Sequence, residues 1–374
     1  MSDIRIAVDL GTTNIEIVLV DGGTKEVIST RIIKNRQSLY GSDVINRIAA
    51  TIRDKKHLFT MRQMVISDLK DAFIAMLKDK GYKTEDVGSI SICGNTTMIS
   101  ILLSYDIEDM GTYPFSHRLE KSMIVQTKSL FDALFKEDTK VFLSGCASAF
   151  IGGDILAGMY YLQKDEDLGL KTEDVTLFID MGTNGEMILF KDGRYYGTST
   201  ACGPAFEGCT RKQSVYGAST IDAISLGIAS KKISREGILD KEYIEKGITI
   251  SGVYLDTGII EDILVAKAGI YTGINLLTKY AGLSLADIDN IYIAGGFGFN
   301  LNLDSAFNLG LLPECFKGKI EVVGNTCIKG ATLIVGEVLG VPHTIDTYEV
   351  DVLQLANDEN FQNELMENMS FARK

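Results

Sequence analysis

Two kinds of apolar spacing alternate along the chain. Short runs, alternating or wholly apolar, predict strands at 4–9, 15–20, 26–33, 89–93 and 141–144, and again at 175–180, 186–190, 194–199, 290–294 and 319–323. Between them the spacing becomes helical. In "MRQMVISDLKDAFIAMLKDKGY" (61–82), Met61, Met64, Val65, Leu69, Ala72, Phe73, Met76 and Leu77 fall on one face, and Gly81 stands where a helix ends on a left-handed residue. Helices are also predicted over 261–280 and 329–339. The stretch 230–250 is polar and reads as an excursion or small subdomain, and 352–368 as a peripheral, acidic amphipathic helix.

One strand-turn-strand pattern occurs twice. "IAVDLGTTNIEIVLVDG" (6–22) and "FIDMGTNGEMILFKDG" (178–193) superpose with Asp9 on Asp180, Gly11 on Gly182, Thr12 on Thr183, Asp21 on Asp192 and Gly22 on Gly193. A second echo pairs "ISICGNTTM" (90–98) with "IYIAGGFGF" (291–299), each an apolar strand ending in turn residues. Copies so far apart imply duplication of a whole α/β domain rather than a short solenoid repeat. The polar run "LQKDEDLGLKTED" (162–174) separates the halves, giving domains at 1–165 and 166–345 and a helical tail at 346–374.

Composition narrows the function. The 374 residues are 45% hydrophobic and 23% charged, with a net charge of −13, which disfavours nucleic-acid and anionic-membrane partners. No apolar run nears the roughly 18 residues that cross a bilayer. The first residues, "MSDIRIAVDL", lack the basic start of a signal peptide. The six cysteines are scattered without a CxxC, which fits reduced thiols in a cytoplasm. His57, His117 and His343 show no metal-ligand spacing.

The repeated turn suits phosphate. A glycine in a tight turn lets backbone N–H groups approach an anion, Thr12, Thr13 and Thr183 add hydroxyls, and Asn14 and Asn184 add amides. Asp9 and Asp180 repel phosphate themselves but suit a hydrated Mg²⁺ that bridges to it. "IAGGFG" (293–298) then offers Gly295, Gly296 and Phe297 as a surface for adenosine. No GxxxxGK[ST] is present, and "GGFGFN" does not complete GxGxxG. Either hairpin alone could be an ordinary turn; two in order before a Gly-Gly strand end define a candidate ATP site.

These residues resemble the phosphate-1, phosphate-2 and adenosine motifs of the acetate and sugar kinase/heat-shock chaperone/actin superfamily. The resemblance implies an α/β fold of duplicated ribonuclease-H-like domains, with ATP and Mg²⁺ in a cleft between them. "YGSDVINRI" (40–48), "GNTTM" (94–98), "DMGTNGE" (180–186), "GPAFEG" (203–208), "AGGFG" (294–298) and "VGN" (323–325) narrow it to the ATPase domain of reductive activators of corrinoid proteins. Such proteins spend ATP to return a cobalt(II) corrinoid to cobalt(I), so that a methyltransferase system can resume. Carried over, Asp9, Gly11, Thr12 and Thr13 match the first phosphate turn, and Asp180, Gly182, Thr183, Asn184 and Gly185 the second. Asp154, in "GGD", stands where related ATPases carry an acid that orients the attacking water or the metal's water shell; alternatively it caps the helix that follows. Glu207 lines the same cleft or is a solvated loop carboxylate.

Corrinoid activators typically carry a ferredoxin module ahead of the ATPase, and this sequence opens at the first phosphate strand without ferredoxin cysteine spacing. The expectation is therefore a separate low-potential electron donor. Alternatively, Cys202 and Cys209, which bracket "GPAFEG", hold an iron–sulfur cluster across a homodimer axis, as in the activators of 2-hydroxyacyl-CoA dehydratases, serving another low-potential acceptor; or they are small packing residues. Further alternatives are a sugar or acyl kinase on the same fold and a nucleotide-dependent regulator.

Overall fold

The computed structural model describes residues 3–168, 170–202, 206, 209–210, 213–214, 217–337, 345–346 and 348–372. It has two compact units. The strands are β1 (Ile4–Leu10), β2 (Asn14–Asp21), β3 (Val27–Lys34), β4 (Val87–Gly94), β5 (Met123–Gln126) and β6 (Lys140–Leu143), followed by β7 (Thr176–Met181), β8 (Asn184–Lys191) and β9 (Arg194–Ala201). Two small hairpins come next, β10 (Cys209–Thr210) with β11 (Gln213–Ser214) and β12 (Ile248–Ile250) with β13 (Val253–Leu255). The last strands are β14 (Asn290–Ala294), β15 (Ile320–Gly324) and β16 (Val350–Val352).

The strand order exposes the duplication. The first sheet runs β3-β2-β1-β4-β6-β5 and the second β15-β14-β7-β8-β9-β16. With β1 matched to β7, β4 to β14 and β6 to β15, both share one plan: an antiparallel meander, then two strands parallel to its first. In the first sheet Asp9 lies opposite Glu16 and beside Cys93. In the second, Asp180 lies opposite Glu186 and beside Ala294. The edges differ. Antiparallel β5 caps the first sheet next to β6, whereas parallel β16 caps the second next to β9.

The helices are α1 (Val44–Arg53), α2 (Lys56–Asp79), α3 (Thr96–Leu103), α4 (Lys128–Phe131), α5 (Gly153–Lys164), α6 (Gly217–Ala229), α7 (Thr257–Tyr280), α8 (Gly295–Phe299), α9 (Leu303–Asn308), α10 (Thr326–Glu337) and α11 (Phe361–Glu367). Polar side chains start several of them: Asp43, Asn95 and Asp256 accept from the N–H groups of Asn46, Met98 and Ile259. Gly81, at φ +78°, takes the left-handed position expected after α2.

The unit boundaries differ from a single cut near residue 165. Thr326–Glu349 joins Met1–Gly169, and Val350–Lys374 joins Leu170–Asn325. The reason for the first crossing is close packing of α10 on α5: a Cβ at Gly330 would lie 1.9 Å from the Ala157 carbonyl oxygen. Ser91 of β4 also donates to the Ala331 carbonyl at 2.7 Å.

The tail is neither a long helix nor peripheral. It supplies β16 and the short α11, then runs into the second core, where Phe371 is fully buried. The fully buried Lys267 of α7 holds it, donating to the carbonyls of Asn368 (2.9 Å) and Ser370 (2.7 Å). Arg235 joins the Phe371 and Asn308 carbonyls. The acidic pattern read as amphipathic helix is instead edge strand, short helix and strap, because these fixed partners outweigh local helix preference.

Candidate functional site: two phosphate turns

The first turn is Gly11–Thr13, between β1 and β2. A Cβ on Gly11 would lie 2.5 Å from the Asn14 carbonyl oxygen, so the turn requires glycine. Side chains behind it hold its carbonyls: Asn35 Nδ2 donates to Gly11 O at 2.9 Å, and Arg47 Nη2 donates to Thr12 O. The Asn35 N–H donates to Thr13 O at 2.9 Å. Thr12 Oγ1 accepts from Asn95 Nδ2 at 2.9 Å. Thr12 is buried, whereas Thr13 is half-buried and Asn14 exposed.

Asp154 is brought to this turn by the two glycines before it. A Cβ on Gly152 would lie 2.5 Å from Asn95 Cα, and one on Gly153 2.0 Å from Ser144 Oγ, so α5 starts hard against the ends of β4 and β6. Gly152, not Asp154, is the N-cap; Asp154 sits in the first turn of α5, its Oδ1 accepting from Ile155 N–H at 2.9 Å. The residue keeps a partial opening to solvent. Loss of hydration at the carboxyl, and then the charge of Asp9, push its pKa up to about 7. Cys93 and Cys327 are buried beside the two acids, and Cys327 hydrogen-bonds Asp9. Burial first, and the Asp9 charge next, push both thiols well up, so they stay protonated.

The second turn, Gly182–Thr183 between β7 and β8, is held by main chain: Gly182 N–H donates to Asn184 O at 2.9 Å, and Cys202 N–H to Thr183 O at 3.2 Å. Gly295, at φ +88°, closes β14 onto this turn; a Cβ there would lie 2.5 Å from Met181 O and 2.6 Å from Asp180 Oδ1. A Cβ on Gly296 would meet nothing within 4 Å, so bare backbone lies open next to Asp180. The structure thus gathers Asp9, Gly11, Thr12, Thr13, Asn14 and Asp154 in one unit. It gathers Asp180, Gly182, Thr183, Asn184, Gly295 and Gly296 in the other.

Two sequence expectations change, and for Cys202 the packing alternative is the one the structure fits. Phe297 does not offer its ring to a nucleotide: it is 4% exposed and stacks on Phe206 with ring centres 4.2 Å apart, because the apolar ring gains more from the core than from the open turn. Gly185 is a packing glycine, its Cβ position 2.2 Å from Ile270 Cδ1 and 3.1 Å from Cys202 Sγ. Cys202 is buried in the same apolar core. Glu207, His343 and the Cys209 side chain lie outside the described residues. Among the described residues, no group of three or more His, Cys, Asp or Glu is placed to hold a metal directly. No described helix is long and apolar enough to cross a membrane.

Arg47, Asn35 and Asn95 were not singled out by sequence. One signal was available. Val44, Arg47, Ile48 and Thr51 fall at i, i+3, i+4 and i+7 of α1, so the arginine sits on the buried stripe.

The two sheets of one plan, each with an acid and glycine turn at the same strand end, define a duplicated actin-like ATPase fold. The chain belongs to the RACo family: the "RACo middle region" matches residues 4–167, and the "C-terminal domain of RACo the ASKHA domain" matches 174–254 and 209–374. It is similar to the corrinoid activation enzyme RamQ of Eubacterium limosum, at 26% identity over 98% of this chain and 70% of that protein. It is also similar to the Co(II) methylated-amine-specific corrinoid protein reductase of Methanosarcina barkeri, at 23% identity over 96% of this chain and 75% of that protein. Among solved structures, a reductive activator for corrinoid, iron–sulfur protein aligns with TM-score 0.84 and 25% identity, covering 99% of this chain and 66% of the other.

Proposed function

We propose that the chain hydrolyses ATP to drive reduction of a corrinoid protein's cobalt from cobalt(II) to cobalt(I). The observation that carries the chemistry is the placement of Asp154 in the first turn of α5, against the ends of β4 and β6 and close to Asp9, where burial and then that neighbour raise its carboxyl. A carboxyl raised above its ordinary range is a stronger base for water than a free one. Water attacks the γ-phosphorus, its proton passes to Asp154, and the bond from that phosphorus to the β,γ-bridging oxygen breaks, giving ADP and phosphate. The residues fit magnesium: Asp9 and Asp180 are half-buried carboxylates at strand ends beside glycine turns, suited to an ion that keeps its waters. Bound magnesium would neutralise phosphate charge. The Thr12 and Thr13 backbone, with Thr13 and Asn14 side chains, would take phosphate oxygens, and Gly295–Gly296 the adenosine.

ATP carries no electron, so the one that reaches cobalt comes from a low-potential donor, which is oxidised in the exchange. The fold match and the named activities of RamQ and the Methanosarcina reductase support a corrinoid protein as the acceptor. Nucleotide can drive the step only through different affinities for two states of the complex.

The test is an anaerobic assay with the chain, a chemical reductant and a cobalt(II) corrinoid protein, following cobalt(I) absorbance and phosphate release. Cobalt(I) that accumulates only with ATP and magnesium is expected. Turnover indifferent to every corrinoid protein, or γ-phosphate passed to a small-molecule acceptor rather than to water, overturns the reading.

A further inference from the structure

We infer that Arg47 is a positioning residue for the phosphate-binding backbone of the first turn, acting with Asn35 from a segment outside the repeated hairpin. This rests on the nucleotide-binding reading above. Arg47 and Asn35 are both fully buried. Arg47 has donors in three directions: Nη2 to Thr12 O, Nη1 to Gln37 Oε1 at 3.1 Å, and Nε to Gly41 O at 3.1 Å. Nη1 also lies 2.9 Å from Met98 Sδ on α3. Gln37 is itself fixed, its Nε2 donating to Met61 O of α2 at 2.9 Å. The guanidinium is therefore locked to α1, α2, α3 and the turn at once.

The consequence follows from peptide geometry. In a planar trans peptide, the carbonyl of one residue and the N–H of the next point opposite ways. Asn35 holds Gly11 O and Arg47 holds Thr12 O, so the N–H groups of Thr12 and Thr13 point away from both side chains. Thr13 is half-buried and Asn14 exposed, so the turn itself reaches the surface. Two adjacent N–H groups aimed outward make a receptor for phosphate oxygens. The guanidinium beneath adds positive charge in a poorly screened interior without touching the ligand. Arg47 thus organises the site twice, by orientation and by field. This gives the "YGSDVINRI" motif a role: Gly41 supplies an acceptor, Asp43 caps α1 and Arg47 grips the turn.

The test is calorimetric binding of ADP and of adenosine to the full chain, in the wild type and in Arg47→Met, Arg47→Lys and Gln37→Leu. ADP binding should weaken about tenfold in Arg47→Met, in line with a charged hydrogen bond, while adenosine binding changes less than twofold. Arg47→Lys should recover part of the loss by keeping the charge. Gln37→Leu, which loosens Arg47 without removing it, should weaken ADP about threefold, in line with one neutral hydrogen bond. If Arg47→Met melts below assay temperature, the other two variants decide. ADP affinity equal to wild type in both, or ADP and adenosine weakened alike, overturns the inference and leaves the proposed function standing. A wild type that binds neither ADP nor ATP overturns the proposed function, and this inference falls with it.

Discussion

The two glycine turns proposed to take phosphate share a backbone plan and differ in the contacts that hold them. The first is tied by buried side chains from outside the hairpin: Asn35, Arg47 and Asn95. The second is tied by main-chain hydrogen bonds and a glycine packed under Ile270. In the first, a further acid, Asp154, lies close enough to feel Asp9. The two halves thus share one turn shape, and the proton chemistry proposed above belongs to the first. The second half instead has the open backbone of Gly296, which suits an adenosine.

That division of labour can be broken most directly at Asp154. Asp154→Asn should lower the ATP hydrolysis rate about 100-fold or more, the usual worth of a general base, with ADP affinity nearly unchanged. A loss below tenfold in phosphate release would move the chemistry elsewhere. The pH dependence sharpens the same point. A base must be deprotonated, so the wild-type rate should rise with pH across a range above that of an ordinary carboxyl and then level off.

Stability should move the other way. The folded carboxyl binds its proton more tightly than the unfolded one, whose pKa is near 3.8. Its stabilising contribution is present below about pH 4 and is lost as pH rises through about 7. Between pH 5 and 8, wild-type Tm should fall relative to Asp154→Asn, so the inactive variant is the more stable protein at pH 8. Parallel melting curves across that range would refute the assignment.

In the second half the expected effects are structural and smaller. Lys267→Met leaves two tail carbonyls without their buried donor and should cost about 1–3 kcal/mol in chemical denaturation, with the hydrolysis rate kept at sub-denaturing conditions. Cys202→Ala trims a buried core thiol and should cost about 1 kcal/mol. It should leave the iron content after anaerobic reconstitution unchanged; a loss of bound iron would restore the cluster reading for that cysteine.

Much of this was legible in the sequence. Asp9 and Asp180 align because a strand end followed by a glycine turn is a local feature, written in consecutive residues. The two long helices α2 and α7 followed from apolar spacing alone. β5 was missed because Met123–Gln126 is a short edge strand whose pairing with β6 has no local signature. The tail misled because its fate depends on Lys267 and Arg235, far away in the chain. Phe297 misled for a related reason: adjacency to Gly296 says nothing about which way a ring turns, and Phe206 decides it. Arg47 showed its position on the buried stripe of α1, but not that a turn carbonyl would receive it.

The crossing of the chain between units bears on the order in which the protein can be made. The first unit is not closed by residues up to Gly169; it needs α10 to cover β1 and β4. The second needs β16 and Phe371, which are synthesised later still. Chains usually acquire structure from their first-made domain onward during translation. Here the first half stays unfinished until α10, and the second until Phe371, has left the ribosome. Protease protection of ribosome-held chains of increasing length should therefore arise late and in both halves over a narrow span of lengths. A nascent chain would have no completed first unit to hold its first glycine turn in shape.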